Sequence, residues 1–114
     1  MVRVRATRAD RLLPPYKSKW EAQYAAVLES LKTAGRILWY RYEGLRLRLA
    51  EGALFSPDFA VVTADGTLEL HEVKGQWREA AKVRWRIAKE NYPFVFKLVQ
   101  KGKGRNAGFI VTDE

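Results

Sequence analysis

The sequence predicts a single α/β domain, in which a mixed β-sheet is flanked by helices. Its 114 residues and 47% hydrophobic content suit one small domain with a core of its own. The spacing of apolar residues is first helical, then that of strands, and then helical again before a last buried strand. This order, αβββαβ with short connections, is typical of helices packed on a sheet.

Charge and composition narrow the classes of partner. The chain carries 21 Lys and Arg against 13 Asp and Glu, a formal net charge of +8, which favours a polyanion such as nucleic acid. It has no Cys, which excludes disulfides and thiolate zinc sites and suits a reducing compartment, so we expect a cytoplasmic protein. No run approaches the roughly 20 apolar residues of a membrane span, and basic residues interrupt the region where a signal peptide would lie.

The first predicted element is a helix preceded by a basic arm. Residues 1–17 are rich in arginine and end near two consecutive prolines, which indicates an extended arm. Ser18 suits an N-cap and Gly35 suits the position after the C-cap, so we place a helix at 18–34.

The rest of the chain predicts strands around a second helix. In order, we expect a strand between Ile37 and the Glu51-Gly52 turn, strands at 57–63 and 67–74, a helix at 78–92, a strand at 94–99, a Gly-rich loop at 101–108 and a short edge strand at 109–111. The single domain then comprises the arm 1–17, a core 18–99 and a basic tail 100–114.

The predicted hairpin brings acidic residues together. Its loop, Ala64-Asp65-Gly66, has the length and the glycine of an ordinary three-residue hairpin connection. If the residues that flank this loop pair, Asp58 lies directly opposite Glu72. Lys74 points to the same face, because strand side chains repeat every second residue. The only histidine, His71, points to the opposite face and is interpreted as a surface or packing residue.

Facing carboxylates favour a bound cation. They repel each other and raise one pKa unless a positive charge lies between them, and a hard divalent metal such as Mg²⁺ fits best. Paired carboxylates, a metal and a lysine supply what phosphodiester hydrolysis needs, namely charge neutralisation and an activated water. The alternative is an ion cluster of Asp58, Glu72 and Lys74 on a solvated sheet surface, worth about 0.2–1 kcal/mol.

Glu21 has two interpretations of equal weight. Ser18 and Glu21 have the spacing of a capping box, in which the glutamate reaches back to the amide of the cap. Glu21 also lies at the border of the apolar stripe that faces the sheet, from which it can reach the metal site. Both interpretations can hold together.

Three segments carry a resemblance to a known family. The segments are Ser18-Lys19-Trp20-Glu21-Ala22, Ser56-Pro57-Asp58-Phe59 and Glu72-Val73-Lys74-Gly75, followed by a basic helix. Their order resembles the PD-(D/E)XK nuclease superfamily, and within it phage-encoded endonucleases and archaeal-type Holliday junction resolvases, over about residues 18–99.

The resemblance implies a fold and a set of roles. The fold would be a restriction-endonuclease-like αβββαβ core. Asp58 and Glu72 would bind Mg²⁺ or Mn²⁺, with the carbonyl of Val73 as a further ligand. Lys74 would orient or activate the water, and Glu21 would be the acidic residue of the first helix. The products would carry a 5′-phosphate and a 3′-hydroxyl.

Basic residues around the second helix are candidates for contact with DNA. On one stripe of that helix the cations are not interleaved with acids, which favours phosphate contact over an ordinary solvated face, although either fits the spacing. Gln76 either extends the row of Lys74 or is a polar residue at a strand end. The predicted DNA contacts are Arg78, Lys82, Arg86, Lys89, Gln76, Lys17 and Lys19.

We therefore expect a metal-dependent DNA endonuclease that selects branched DNA and acts as a homodimer, because paired incisions in a symmetric junction need two subunits. Two other functions fit the same residues. One is a nuclease subunit that acts on transposon ends, restriction sites or phage termini. The other is a basic DNA-binding module without catalysis.

Overall fold

The computed structural model describes residues 15–75, 78–103 and 108–113, and this part of the chain forms two helices and seven strands. Most of the predicted arm, Gln76 and half of the predicted Gly-rich loop lie outside the described residues. In chain order the elements are α1 (Lys19–Thr33), β1 (Ile37–Tyr42), β2 (Leu47–Ala50), β3 (Ala53–Phe55), β4 (Phe59–Thr63), β5 (Leu68–Lys74), α2 (Glu79–Asn91), β6 (Val95–Lys101) and β7 (Phe109–Thr112).

Helix α1 begins and ends where the sequence indicates. The hydroxyl of Ser18 accepts a hydrogen bond from the amide of Glu21 at 3.1 Å, which satisfies one of the free N–H groups of the first turn. After Ala34 the chain turns through Gly35, whose φ of +78° is in the region that favours glycine. The predicted helix at 18–34 is confirmed.

Five of the strands form the mixed sheet that the sequence predicts. Their order is β1-β4-β5-β6-β7, with β5 and β6 parallel and the other neighbouring pairs antiparallel. Helix α2 connects β5 to β6, since a parallel pair needs a crossover rather than a tight turn. Within the described residues, the chain is therefore one α/β domain with a mixed sheet and two helices.

The hairpin of β4 and β5 has the predicted register. Phe59 pairs with His71 and Val62 with Leu68, so extending the ladder by one residue places Asp58 opposite Glu72. The loop closes with Gly66 at a φ of +89°, as expected for a three-residue connection. This register determines where the acidic residues meet.

The structure corrects the prediction of one continuous strand between Ile37 and the Glu51-Gly52 turn. The chain breaks it after Tyr42, where Glu43 has a φ of +48° and Gly44 follows. The second part becomes β2, which pairs with the unpredicted strand β3 in a separate two-stranded sheet. Two short strands therefore precede β4 in addition to β1, and the simple αβββαβ order does not hold as predicted.

The two faces of the sheet bury two separate cores. On one face α1 packs through Tyr24, Ala25 and Leu28 against Phe59 and Val61. On the other face α2 and the β2–β3 hairpin cover the sheet, with Trp85 and Phe55 among the buried residues. The alternation of β4 and β5 supplies both cores, because odd-numbered and even-numbered residues point to opposite faces.

Gly75, directly after β5, is required by its contact with α1. A Cβ atom at this position would lie 1.8 Å from Cζ3 of Trp20, much closer than any allowed contact. The indole ring of Trp20 therefore lies directly against the backbone at the end of β5. This contact holds the first turn of α1 beside the end of the strand that carries Glu72 and Lys74.

Replacing Gly75 with Ala is expected to destabilise the fold by about 1–3 kcal/mol, the usual cost of overpacking. The cost should largely disappear in a Trp20→Ala background, because it belongs to the contact between the two residues. A double-mutant cycle of urea unfolding measures it. Gly108→Ala is the matched control, since a Cβ at Gly108 would meet nothing within 4 Å. An equal cost with and without the Trp20 ring would contradict the explanation.

Candidate functional site

The candidate site lies where β4 and β5 part. Pro57 precedes Asp58 and has no N–H to continue the ladder. Here the amides of Asp58 and Val73 donate to carboxyl oxygens of side chains. The amide of Val73 donates to Oδ2 of Asp58 at 2.8 Å, and the amide of Asp58 donates to Oε1 of Glu72 at 2.9 Å. These reciprocal bonds hold both carboxyl groups in defined positions beside each other.

Both carboxyl groups are buried, although the sequence allowed a solvated cluster. Asp58 is 9% exposed and Glu72 is 5% exposed. Burial, followed by the charge of Glu72, raises the pKa of Asp58 to about 8. Burial also raises the pKa of Glu72, although Lys74 and the Asp58 amide oppose the shift. Two buried carboxylates are thus held together at a cost that a positive charge between them would remove.

Lys74 completes the predicted set. Its Nζ lies 3.2 Å from Oε2 of Glu72, and its side chain is largely shielded from solvent. The structure therefore brings Asp58, Glu72 and Lys74 together as the register predicts. The lysine neutralises part of the charge of Glu72.

Glu21 serves the helix cap and also lies within electrostatic reach of the site. Its Oε1 accepts hydrogen bonds from the amide of Lys17 at 2.9 Å and from the hydroxyl of Tyr42 at 2.9 Å. The bonded amide belongs to the residue before the cap, and not to Ser18 itself as in an ordinary capping box. The charge of Glu21 raises the pKa of both Asp58 and Glu72. The capping-box bond to the Ser18 amide is therefore replaced by a bond to the Lys17 amide, and a role of Glu21 at a metal site stays a prediction.

Glu43 is a site residue that the sequence analysis missed. Its amide donates to the carbonyl of Asp58 at 2.7 Å, and its carboxylate pairs with Lys17 at 3.1 Å. A positive φ is uncommon for a residue other than glycine and is retained only where the surroundings impose it. The alternation of apolar and polar residues is interrupted at Tyr42-Glu43-Gly44. That interruption indicates a break in the strand, which the prediction of one long strand overlooks.

The carboxylate oxygens of the site are of the type that a hard divalent cation prefers, although the protein supplies few of them. Asp58 and Glu72 supply carboxylate oxygens, which Mg²⁺ and Mn²⁺ prefer. In the described part of the chain, no group of three or more His, Cys, Asp or Glu side chains is placed to hold a metal ion. Mg²⁺ is commonly bound through one or two carboxylates with water completing its shell, so two carboxylates are a sufficient protein contribution. Val73, whose carbonyl is the expected further ligand, follows Glu72 in the chain, and its amide donates a hydrogen bond to Asp58.

His71 is a packing residue, as its face predicts. Its Nδ1 lies 2.7 Å from the hydroxyl of Tyr24 and its Nε2 lies 2.9 Å from Oε1 of Glu69. Burial lowers the pKa of His71, so it is neutral near pH 7. It lies beneath α1 on the sheet face opposite Glu72, and it does not take part in the candidate site.

The predicted DNA contacts fall into two groups. Lys82, Arg86 and Lys89 line one groove between α2 and the strands β6 and β7. Near α1, Lys17 and Lys19 are exposed beside the candidate site, and Arg78 is exposed at the start of α2. Lys17 and Lys19 line a second, separate pocket along the first turns of α1.

Comparison with known proteins finds no relative from which to transfer a function. No protein-family model matches the chain, and neither a curated protein nor a solved structure matches it. Among the described residues, no helix has both the length and the apolar character needed to cross a membrane. The resemblance to the PD-(D/E)XK nucleases stays a prediction carried by the residues themselves.

Asp58→Asn is expected to stabilise the metal-free protein at alkaline pH. The folded-state pKa of about 8 lies above the unfolded value of 3.8, so the stability linked to this group is complete below pH 4 and is lost as the pH rises through 8. Asparagine keeps the acceptor for the Val73 amide and removes the buried charge. We expect a Tm increase of roughly 4–8 °C at about pH 8.5, which is about 1 kcal/mol, and little change at about pH 4.5.

Thermal unfolding with a chelator present measures the effect. Asp65→Asn is the matched control, because Asp65 is an exposed aspartate of the same hairpin whose pKa is lowered by hydrogen bonds from Thr63 and Thr67. The control should not gain stability at alkaline pH. An Asp58→Asn protein that unfolds at the wild-type temperature at both pH values would contradict the burial argument.

Proposed function

We propose that this protein is a metal-dependent DNA endonuclease. One observation carries the proposal: two buried carboxyl groups face each other with an ammonium group 3.2 Å from one of them, at the open end of a hairpin. Burial raises the pKa of both carboxyl groups even with Lys74 beside them, so keeping both ionised is unfavourable unless further positive charge lies between them. A divalent cation between Asp58 and Glu72 turns the same arrangement into a site for phosphodiester chemistry.

The residues of the site would divide the work of hydrolysis. When bound, a divalent cation neutralises charge on the phosphate and lowers the pKa of a water molecule. Asp58 and Glu72 would hold that cation. The hydrogen bonds that their carboxyl groups accept from backbone amides limit the movement of both groups. Lys74 orients the attacking water and stabilises negative charge that develops on the phosphate oxygens.

The proposed reaction is the hydrolysis of a phosphodiester bond. The oxygen of the water forms a new bond to phosphorus while the bond from phosphorus to O3′ breaks. One water proton leaves to solvent and the departing O3′ gains a proton. The products are a 5′-phosphate and a 3′-hydroxyl, as the resemblance implies.

The burial of the carboxyl groups argues against the alternative of an ion cluster on a solvated sheet surface. An exposed cluster would be held by solvated pairs worth less than about 1 kcal/mol, and its carboxylates would not need to be desolvated. Here the carboxyl groups are desolvated, and both are oriented by amide donors. Strained or costly polar arrangements of this kind are typical of functional sites.

The proposed substrate is branched DNA, and the proposed active form is a homodimer. The surplus of basic residues suits contacts with the phosphate backbone, which do not depend on base sequence. Two incisions at symmetric positions in a junction would need two active sites, which a twofold dimer supplies.

Cleavage of a labelled four-way junction and of a matched linear duplex tests the function. With Mg²⁺ or Mn²⁺ the wild-type protein should nick DNA, and with a chelator it should not. Asp58→Asn and Glu72→Gln should abolish nicking, and Lys74→Ala should slow it by roughly 10²–10³-fold, the usual cost of losing a transition-state donor. Asp65→Asn should cut like the wild type.

The outcomes separate the remaining functions. Nicks confined to the junction would support the branched substrate, and equal cutting of both DNAs would support the nuclease but not that preference. DNA binding without metal-dependent cutting of either DNA would contradict the proposal and favour a non-catalytic DNA-binding module.

A further inference from the structure

A groove runs along α2 on the sheet face that carries Glu72 and Lys74. It has a volume of about 860 Å³ and lies between α2 and the strands β6 and β7. Trp85 and Leu98 contribute apolar side chains to its walls, and Lys82, Arg86 and Lys89 contribute cations. The cations lie on successive turns of one helix, so they form a row along the groove.

The sheet register places this groove beside the candidate site. In the parallel pairing of β5 with β6, Lys74 is opposite Gln100 and Glu72 is opposite Leu98. Paired residues of neighbouring strands share a face, so Gln100 and Leu98 lie beside the two site residues. Because Gln100 and Leu98 also line the groove, a ligand bound at this end of the groove would lie beside Lys74 and Glu72.

The charge of the groove favours an anion. Three cations face a single carboxylate, that of Glu90, among the residues that line it. The ammonium group of Lys89 donates to the carbonyl of Asp113 at 3.1 Å, which holds it at the β7 side. In addition, the buried hydroxyl oxygen of Thr112, a lining residue, has no hydrogen-bond partner among the described residues. A polar ligand in the groove would satisfy a group of a kind that proteins seldom leave unpaired.

The dimensions favour a single strand over a duplex. Lys82 and Lys89 are seven residues apart, about 10 Å along the helix. A stacked strand rises about 3.4 Å per nucleotide, so the row corresponds to roughly three nucleotides. A volume of about 860 Å³ is that of a pocket for a small ligand. A short single strand can enter a groove of this volume, whereas a whole double helix would contact only its rim.

We propose that this groove binds a short single-stranded segment of the DNA substrate and leads its phosphates to the Asp58–Glu72–Lys74 site. Gln100 lies at the junction and would position the phosphate next to the scissile bond. This inference rests on the proposed nuclease function and narrows its substrate to DNA with an unpaired strand at the cleavage point, such as a flap or a splayed branch.

Charge reversal on two neighbouring arginines of α2 tests the groove. Arg86 lines it and Arg84, on the same helix, does not. Fluorescence anisotropy would measure binding of a labelled single strand of about 12 nucleotides and of a blunt duplex of the same length, in a chelator so that nothing is cut. We expect Arg86→Glu to weaken single-strand binding at least about tenfold and Arg84→Glu at most about threefold. Lys89→Glu should behave like Arg86→Glu, and circular dichroism would verify folding.

The outcomes distinguish failure of the groove proposal from failure of the proposed nuclease function. Equal losses for Arg84→Glu and Arg86→Glu, or wild-type protein that binds the blunt duplex as tightly as the single strand, would overturn the proposal. A loss specific to Arg86→Glu and Lys89→Glu, with the single strand preferred, would support it. If that pattern appears while no DNA is cut in the presence of Mg²⁺ or Mn²⁺, the nuclease function fails and the groove stands. If DNA is cut without that pattern, the groove proposal fails alone.

Discussion

Two carboxyl groups are buried side by side where β4 and β5 part, and the rest of the structure can be understood from that constraint. Each is held by an amide of the opposite strand, so neither can turn toward solvent without leaving a backbone N–H unpaired. Their raised pKa values express the cost of keeping two like charges in a poorly solvated space. A site of this kind is a stable arrangement at neutral pH only with a proton or a cation between the groups.

Elements far apart in the chain support that arrangement. The β1–β2 connection supplies the amide of Glu43, which fixes the carbonyl of Asp58. The first turn of α1 supplies Glu21 and the Trp20 ring that lies against Gly75. On the opposite face, α2 and β6 line the basic groove beside the site. The carboxyl pair thus lies where three layers of the fold meet, and its geometry depends on all of them.

The local features of the fold were predictable from the sequence. The three-residue loop that ends in Gly66 allowed one register for the hairpin, and that register alone placed Asp58 opposite Glu72. Both helices followed from apolar spacing and, for α1, from its cap. These features depend on residues a few positions apart, for which propensity and periodicity carry the information.

The features that were not predicted depend on distant contacts. The break at Glu43 requires a backbone conformation that its type disfavours and that the bond to Asp58 compensates. The periodicity in β4 and β5 indicates which face each carboxyl group is on, but it does not indicate how deeply the pair is buried. The position of Gln100 beside Lys74 depends on the parallel pairing of β5 with β6, which α2 separates in the chain. Sequence alone therefore indicated the chemistry of the site but neither its depth nor its extension along α2.

Calorimetric titration with Mn²⁺ at neutral pH tests the central claim most directly, because it measures cation binding without a DNA substrate. The account predicts binding to the wild-type protein and to Asp65→Asn with the same affinity, and a loss of at least about tenfold, or about 1.4 kcal/mol, for both Asp58→Asn and Glu72→Gln. Equal Mn²⁺ affinity of all four proteins, or no binding by the wild type, would contradict the claim that the buried carboxyl pair is a metal site.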